Sequence, residues 1–312
     1  MEFRFDSNQE HQVRAVDAVA GLFNGQPTVE ADIDMRLGAS LGAVANRLEL
    51  DEAALLSNLN DLQRENEVHQ DAELQYVEGA ADTPDGTKRV RFANFSIEME
   101  TGTGKTYVYI RTALELFRRY GLRKFLVVVP SVAIREGVLK TFAVTERHFK
   151  EMYENRPYRF YVYDSAKVNQ IRQFALSQSV EFMIMTIDSF NKSTNILRQA
   201  TDRLLGETPI HLVQATRPLL ILDEPQNMES ALSKAALAEL NPLLALRYSA
   251  THRNPYNLLY RLTPFDAVLC FFGPGFVVEA GVNHTAVMPG LMRGKTIFGF
   301  EKDELQTGTA FE

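Results

Sequence analysis

Met99-Glu-Thr-Gly-Thr-Gly-Lys-Thr106 stands between an apolar run, Phe95-Ser-Ile-Glu-Met99, and a stretch of helical periodicity that opens near Lys105. Strand, glycine-rich turn and helix, in that order, are what a phosphate-binding loop requires. Gly102, Thr103 and Gly104 form the turn; the glycines let consecutive backbone N–H groups face an anion, and the following helix adds the positive end of its dipole. Lys105 would reach the β- and γ-phosphates, and the Thr106 hydroxyl would ligate Mg²⁺. The place where the general pattern has its first glycine is Met99. Lys-Thr after the last glycine does not fit a dinucleotide fingerprint.

Farther along, Arg217-Pro-Leu-Leu-Ile-Leu222 has the nearly all-apolar composition of a strand buried on both faces, and it runs into Asp223-Glu224-Pro225-Gln226. Carboxylates at the carboxyl end of such a strand lie where open α/β sheets bind ligands. Asp223 could hold Mg²⁺ through water, and Glu224 could orient and deprotonate the water that attacks a γ-phosphate. An acidic strand exit is the bland alternative; the phosphate loop upstream argues against it.

Outward from these two segments, strands and helices alternate. Helix Tyr107 to Tyr120 is closed by Gly121, and strand Lys124 to Pro130 follows. Further strands are expected at Tyr158 to Tyr163, Glu181 to Ile187, Leu219 to Leu222 and Leu246 to Ser249, with helices at Ser165 to Ser177 and Glu229 to Leu240. This rhythm predicts an α/β fold with a mostly parallel sheet. Residues 1–27 hold an amphipathic helix from Gln9 to Phe23, 28–90 read as a helical insertion with a turn or loop over Ala80 to Lys88, 91–266 form the phosphate-binding domain, and 267–312 lose the rhythm.

Two other strand ends, Val127-Val-Val-Pro130-Ser131 and Ile184-Met-Thr186-Ile-Asp188-Ser189, should emerge on the same sheet edge. Ser131, Arg135, Thr186, Ser189 and Lys192 could supply the small hydroxyls and cations that hold a nucleic-acid backbone without reading sequence. Ser131 and Asp188 equally fit helix caps, and a capped N-terminus is itself a phosphate site. Ser249-Ala-Thr251-His252 could hydrogen-bond the acidic pair and pass its state onward, or form a plain hydroxyl turn. Gln12 could read adenine through its amide with Phe5 packed on the ring, or be an ordinary polar residue on a helix.

The bulk properties narrow the classes. The 312 residues are 45% hydrophobic and 23% charged, enough for a sizeable core. Lys and Arg number 33 against 40 for Asp and Glu, so a net charge of −7 gives no global attraction to nucleic acid; any such contact is local. The single cysteine, Cys270, excludes an internal disulfide, and the six histidines have no metal-site or triad spacing. The opening residues lack a signal-peptide pattern and no apolar run is long enough to span a bilayer, so a cytoplasmic protein is expected. A small-molecule kinase sharing the phosphate loop is disfavoured because Asp223-Glu224 supplies a water-activating acid.

Taken in order, METGTGKT, VVVPS, TIDSF, ILDEPQNM and YSATHRNPYNLLYRL resemble the first-domain motifs of superfamily 2 helicases, and more narrowly the restriction (Res) subunit of type III restriction-modification enzymes. DEPQNM and SATHRNP are the specific signals. The resemblance implies a three-layer, RecA-like P-loop domain that hydrolyses ATP on double-stranded DNA beside a modification methyltransferase (Mod) subunit. It gives Lys105 and Thr106 the phosphate and Mg²⁺ role, Asp223 and Glu224 the metal and water role, Gln226, Ser249 and Thr251 a coupling role, and Pro130, Ser131, Thr186 and Ser189 a place on the DNA backbone. Such enzymes also carry a second motor domain with an arginine finger and a nuclease domain. The residues after Asp266 are too few for either. Since a finger can supply about 10³ to 10⁵ in rate, slow hydrolysis is expected, in a truncated or decayed subunit or a fragment of one; the alternative is an ATP- and DNA-binding module with little or no turnover.

Overall fold

The computed structural model describes residues 5–28, 42–164, 167–191 and 208–267, together with two short strands beyond them. In chain order the elements begin with α1 (Glu10–Gly21), α2 (Glu52–Glu65), β1 (Tyr76–Thr83), β2 (Gly86–Met99), α3 (Lys105–Tyr120), β3 (Lys124–Val129) and α4 (Val132–Met152). They continue with β4 (Tyr158–Val162), α5 (Val168–Leu176), β5 (Val180–Thr186), α6 (Asp188–Asn191), α7 (Pro209–Ala215), β6 (Leu219–Asp223) and α8 (Ala231–Glu239). Strands β7 (Ala245–Ser249), β8 (Leu258–Leu262), β9 (Glu279–Ala280) and β10 (Ala286–Val287) complete the series.

One eight-stranded sheet runs β1-β2-β7-β6-β3-β5-β4, with β8 paired to β2 beside β1. Every pairing in it is parallel except β1 with β2. β3, β5 and β6 are buried at every position, as central strands covered on both faces must be. Alternate residues then feed opposite layers. Phe125, Val127 and Val129 pack with α1, α3 and α4, whereas Leu126 and Val128 pack with α5, α7 and α8. The result is the three-layer α/β fold that the strand and helix rhythm predicts.

Residues 28–90 depart from the helical expectation. Among the described residues there, only Glu52–Glu65 is helical, capped by Asp51, whose carboxylate accepts from the Ala54 N–H at 2.8 Å. The segment expected as a loop lies in an antiparallel hairpin, with Tyr76 opposite Ala93 and Thr83 opposite Gly86. Thr83-Pro84-Asp85-Gly86 does turn, but the flanking Glu78-Gly-Ala-Ala-Asp82 is poor in strand-favouring residues. Packing makes the strand: Val77, Ala81, Val90 and Phe92 are buried beside α8, and a Cβ on Gly79 would lie 2.5 Å from that of Ala238. The boundary expected at 90/91 falls inside β2, so the phosphate-loop strand and the hairpin arm are one strand.

β8 was also unforeseen, and Asn257 explains it. With φ 43°, its side chain donates to the carbonyls of Gln75 (2.9 Å) and Asn94 (2.6 Å) and accepts from the Gln75 N–H (3.0 Å). One buried amide thereby ties the chain entering β8 to the start of β1 and the second half of β2. Asn257→Ala is expected to lower unfolding free energy by roughly 3 kcal/mol, from buried groups left unpaired and an alanine held in the left-handed region. Urea unfolding of the two proteins measures it; a loss below about 1 kcal/mol, the net worth of a single hydrogen bond, would contradict this role.

Candidate functional site

The loop between β2 and α3 has the backbone that its glycines allow. Gly102 and Gly104 sit at φ +83° and +92°, and a Cβ on Gly104 would come within 2.5 Å of the Gln12 amide nitrogen. That amide donates to the Thr103 carbonyl at 2.9 Å, and His11 Nε2 is 3.3 Å from the same oxygen. Gln12 lines the cleft, but its amide N–H ties α1 to the loop. Thr103 is buried, its hydroxyl donating to the Glu100 carbonyl at 2.6 Å. Lys105 starts α3 and sends its ammonium 3.3 Å from the Met99 carbonyl and 3.2 Å from Glu224 Oε1. The two sequence segments therefore meet at the carboxyl edge of the sheet. They share a cleft of about 570 Å³ lined by Gly102, Gly104, Lys105, Thr106, Asp223 and Glu224, with Phe5 and Gln12 also on its wall.

The neighbouring carboxylates have different environments. Burial, then the Glu224 charge, pushes Asp223 up to about 6. Burial alone would raise Glu224 too, but the Gln226 amide, Lys105 and Ser249 outweigh it and hold Glu224 below the usual value. Thr106 and Asp223 offer hard oxygens on one wall of the cleft. Behind them the buried Tyr109 hydroxyl adjoins Thr106 and Asp223, and burial followed by the Asp223 charge raises its pKa well above the ordinary value. This donor set fits Mg²⁺, which binds through one or two protein oxygens and completes its shell with water and phosphate. Among the described residues no group of three His, Cys, Asp or Glu could hold a metal by itself.

Glu224 adopts φ 51° and ψ 56°, a backbone few non-glycine residues take, and its N–H donates to the Tyr248 carbonyl at 2.9 Å. Its Oε2 accepts from the Gln226 amide at 2.8 Å and lies 3.0 Å from Ser249 Oγ. Ser249 Oγ is also 3.0 Å from Gln226 Oε1 and from the Thr251 carbonyl, and it accepts from the Thr251 N–H at 3.3 Å. Gln226, Ser249 and Thr251 thus form one network with Glu224.

The other expected positions share the edge. β3 and β5 are neighbours in register, Val129 opposite Thr186, so Pro130 and Ser131 leave the sheet beside Thr186 and Ser189. Ser131 caps α4, its hydroxyl accepting from the Ile134 N–H at 3.3 Å, and the hydroxyls of Thr186 and Ser189 are 2.8 Å apart. Arg135 pairs with Glu136 at 2.9 Å. Lys192, and the expected 267–312 tail apart from Ala267, β9 and β10, lie outside the described residues.

Tyr109 and Glu98 escaped the sequence reading. Glu98 was visible only as a carboxylate just before the glycine-rich turn. Burial would raise its pKa, but His252 and Arg261 bring it down to about 2. A carboxylate depressed in the folded state contributes stability that is complete above the ordinary 4.5 and lost as pH falls toward about 2. Glu98→Gln should remove that share, so its unfolding midpoint should fall less steeply across this acid window than the parent's. Parallel midpoint-against-pH curves for the two proteins would contradict the assignment.

Comparison with known proteins places this geometry in a family. The family described as "Type III restriction enzyme, res subunit" matches residues 44–254. The EcoP15I Res subunit of Escherichia coli is 30% identical over 85% of this chain, and the EcoPI Res subunit of Escherichia phage P1 is 29% identical over 85%. The chain spans 28% of the length of each. Two solved structures also align. The UvsW helicase from bacteriophage T4 has 12% identity and a TM-score of 0.33 over 51% of this chain and 47% of that one. The ATP-dependent type ISP restriction-modification enzyme LlaBIII bound to DNA has 15% identity and a TM-score of 0.36 over 72% and 16%. With the family match spanning most of the described core and both phosphate-site segments, the chain belongs to the Res-subunit family of type III restriction enzymes.

Proposed function

We propose that this chain is the ATP- and Mg²⁺-binding, DNA-dependent motor domain of a type III restriction endonuclease subunit. It would couple ATP hydrolysis to translocation or switching on double-stranded DNA, beside a Mod methyltransferase subunit in the cytoplasm, in restriction of foreign DNA. The observation that carries this reading is the 3.2 Å contact of Lys105 with Glu224 across one cleft, between a phosphate loop and an acidic strand end. Lys105 would exchange part of that contact for phosphate oxygens, while the loop N–H groups cradle them. Phe5 and Gln12 would lie toward the base. Thr106 and Asp223 would hold Mg²⁺, which supplies charge neutralisation at the phosphates. Glu224, ionised and held by Gln226 and Ser249, would orient the attacking water and accept its proton. Pro130, Ser131, Arg135, Thr186 and Ser189 would carry the DNA backbone along the same edge, so that both ligands meet loops of one sheet, with Lys192 as a further contact from the chain that follows.

The test is titration of the purified chain with a fluorescent ATP analogue and Mg²⁺, followed by phosphate release with and without duplex DNA. Saturable binding and DNA-stimulated release are expected. Binding without release would favour the low-turnover binding module, and absence of binding would refute the nucleotide reading.

A further inference from the structure

Glu98 joins the phosphate loop to the loop after β7. It is the penultimate residue of β2, directly before Met99, whose carbonyl contacts the Lys105 ammonium at 3.3 Å. In the sheet Glu98 stands between Ser249 of β7 and Arg261 of β8, its register partners on either side. Its nearly buried carboxylate accepts from Arg261 Nε at 2.5 Å on one oxygen. On the other it accepts from the His252 N–H at 3.2 Å, with His252 Nδ1 at 3.5 Å. A carboxylate buried at this depth costs free energy unless its partners are held in place, so those three groups and Glu98 fix one another.

The preceding residue, Thr251, is held from the opposite side. Its N–H and carbonyl both meet Ser249 Oγ, which also reaches Glu224. The dipeptide Thr251-His252 is therefore pinned between two carboxylates: Glu224, which faces the cleft, and Glu98, which is continuous with the strand that carries the loop. A displacement at either end loads the same two peptide groups. Coupling between sites needs a physical element biased by both, and this dipeptide meets that condition.

We infer that Glu98 is a positioning residue that transmits occupancy of the phosphate loop to the Thr251-His252 loop through the His252 backbone N–H. The inference rests on the nucleotide-binding reading above and deepens it. It assigns no contact between Glu98 and any ligand. Once the phosphate loop closes on a triphosphate, Met99 and Glu98 shift with it as one strand end, and the carboxylate carries the His252 peptide along. Removing the charge from Glu98 leaves the phosphate loop intact but slackens this link.

Hydrogen–deuterium exchange on the full chain, with and without a non-hydrolysable ATP analogue and Mg²⁺, tests this without requiring turnover. In the parent, exchange in a peptide covering 250–254 should slow about fivefold or more on nucleotide addition, the lower end of ordinary coupling. Glu98→Gln should bind the same analogue with affinity close to the parent's and show no nucleotide-dependent change in that peptide. A purely structural Glu98 would instead raise exchange equally with and without nucleotide and keep the response. Arg261→Met, which removes the half-exposed partner, serves as a second variant should Glu98→Gln not fold, and it should blunt the response as well. Persistence of the full response in the folded variants, or its absence in a parent that binds nucleotide, would overturn the inference while leaving the nucleotide reading standing. A parent that binds no nucleotide overturns both.

Discussion

In the Lys105→Ala protein, affinity for ATP is expected to fall by at least about 10²-fold, the scale for removing one partner of a buried, hydrogen-bonded charge pair. Two effects add. The phosphates lose their cation, and Glu224 loses the ammonium 3.2 Å from its Oε1, so it and Asp223 face the triphosphate unshielded. Lys105 is not part of the apolar core, so the fold should survive. Titration with a fluorescent ATP analogue, beside a urea unfolding curve, separates lost binding from lost structure. Parental affinity in the variant would exclude Lys105 from the phosphate site.

Glu224→Gln is expected to do the opposite, keeping nucleotide and losing chemistry. The amide matches the carboxylate in shape and still has an oxygen to accept from Gln226 or Ser249, but it cannot take a proton from water. Removing a general base costs about 10²- to 10⁴-fold in rate. Affinity should hold or tighten, since one negative charge leaves the cleft. Single-turnover phosphate release with duplex DNA present is the measurement, and a variant releasing phosphate near the parental rate would eliminate Glu224 as the base.

The central sheet was legible because its strands are buried on both faces: Lys124–Val129, Val180–Thr186 and Leu219–Asp223 are short apolar runs that fit no exposed element. The meeting of Lys105 with Glu224 followed from topology, since parallel strands present their carboxyl ends on one edge. What the sequence hid depends on contacts distant along the chain. β1 owes its form to α8 packing at Gly79, and β8 owes its place to the Asn257 amide. Neither alternation nor turn chemistry reports such partners. Gln12 shows the same limit. A helix pattern locates the residue, but only the fold places its amide on the Thr103 carbonyl. Glu98 was hidden for a further reason. A lone acid before the turn has no evident partner until Arg261 and the His252 peptide arrive from later in the chain.

Ser249 owns one proton and faces three oxygens, on Glu224, Gln226 and Thr251, all at 3.0 Å. A hydroxyl turns about a single bond, so choosing among these recipients needs no heavy atom to move. The most negative recipient wins. Were Glu224 to gain a proton, the Ser249 hydrogen would be free to swing to the Thr251 carbonyl, a reorientation of one hydrogen that leaves every heavy atom in place.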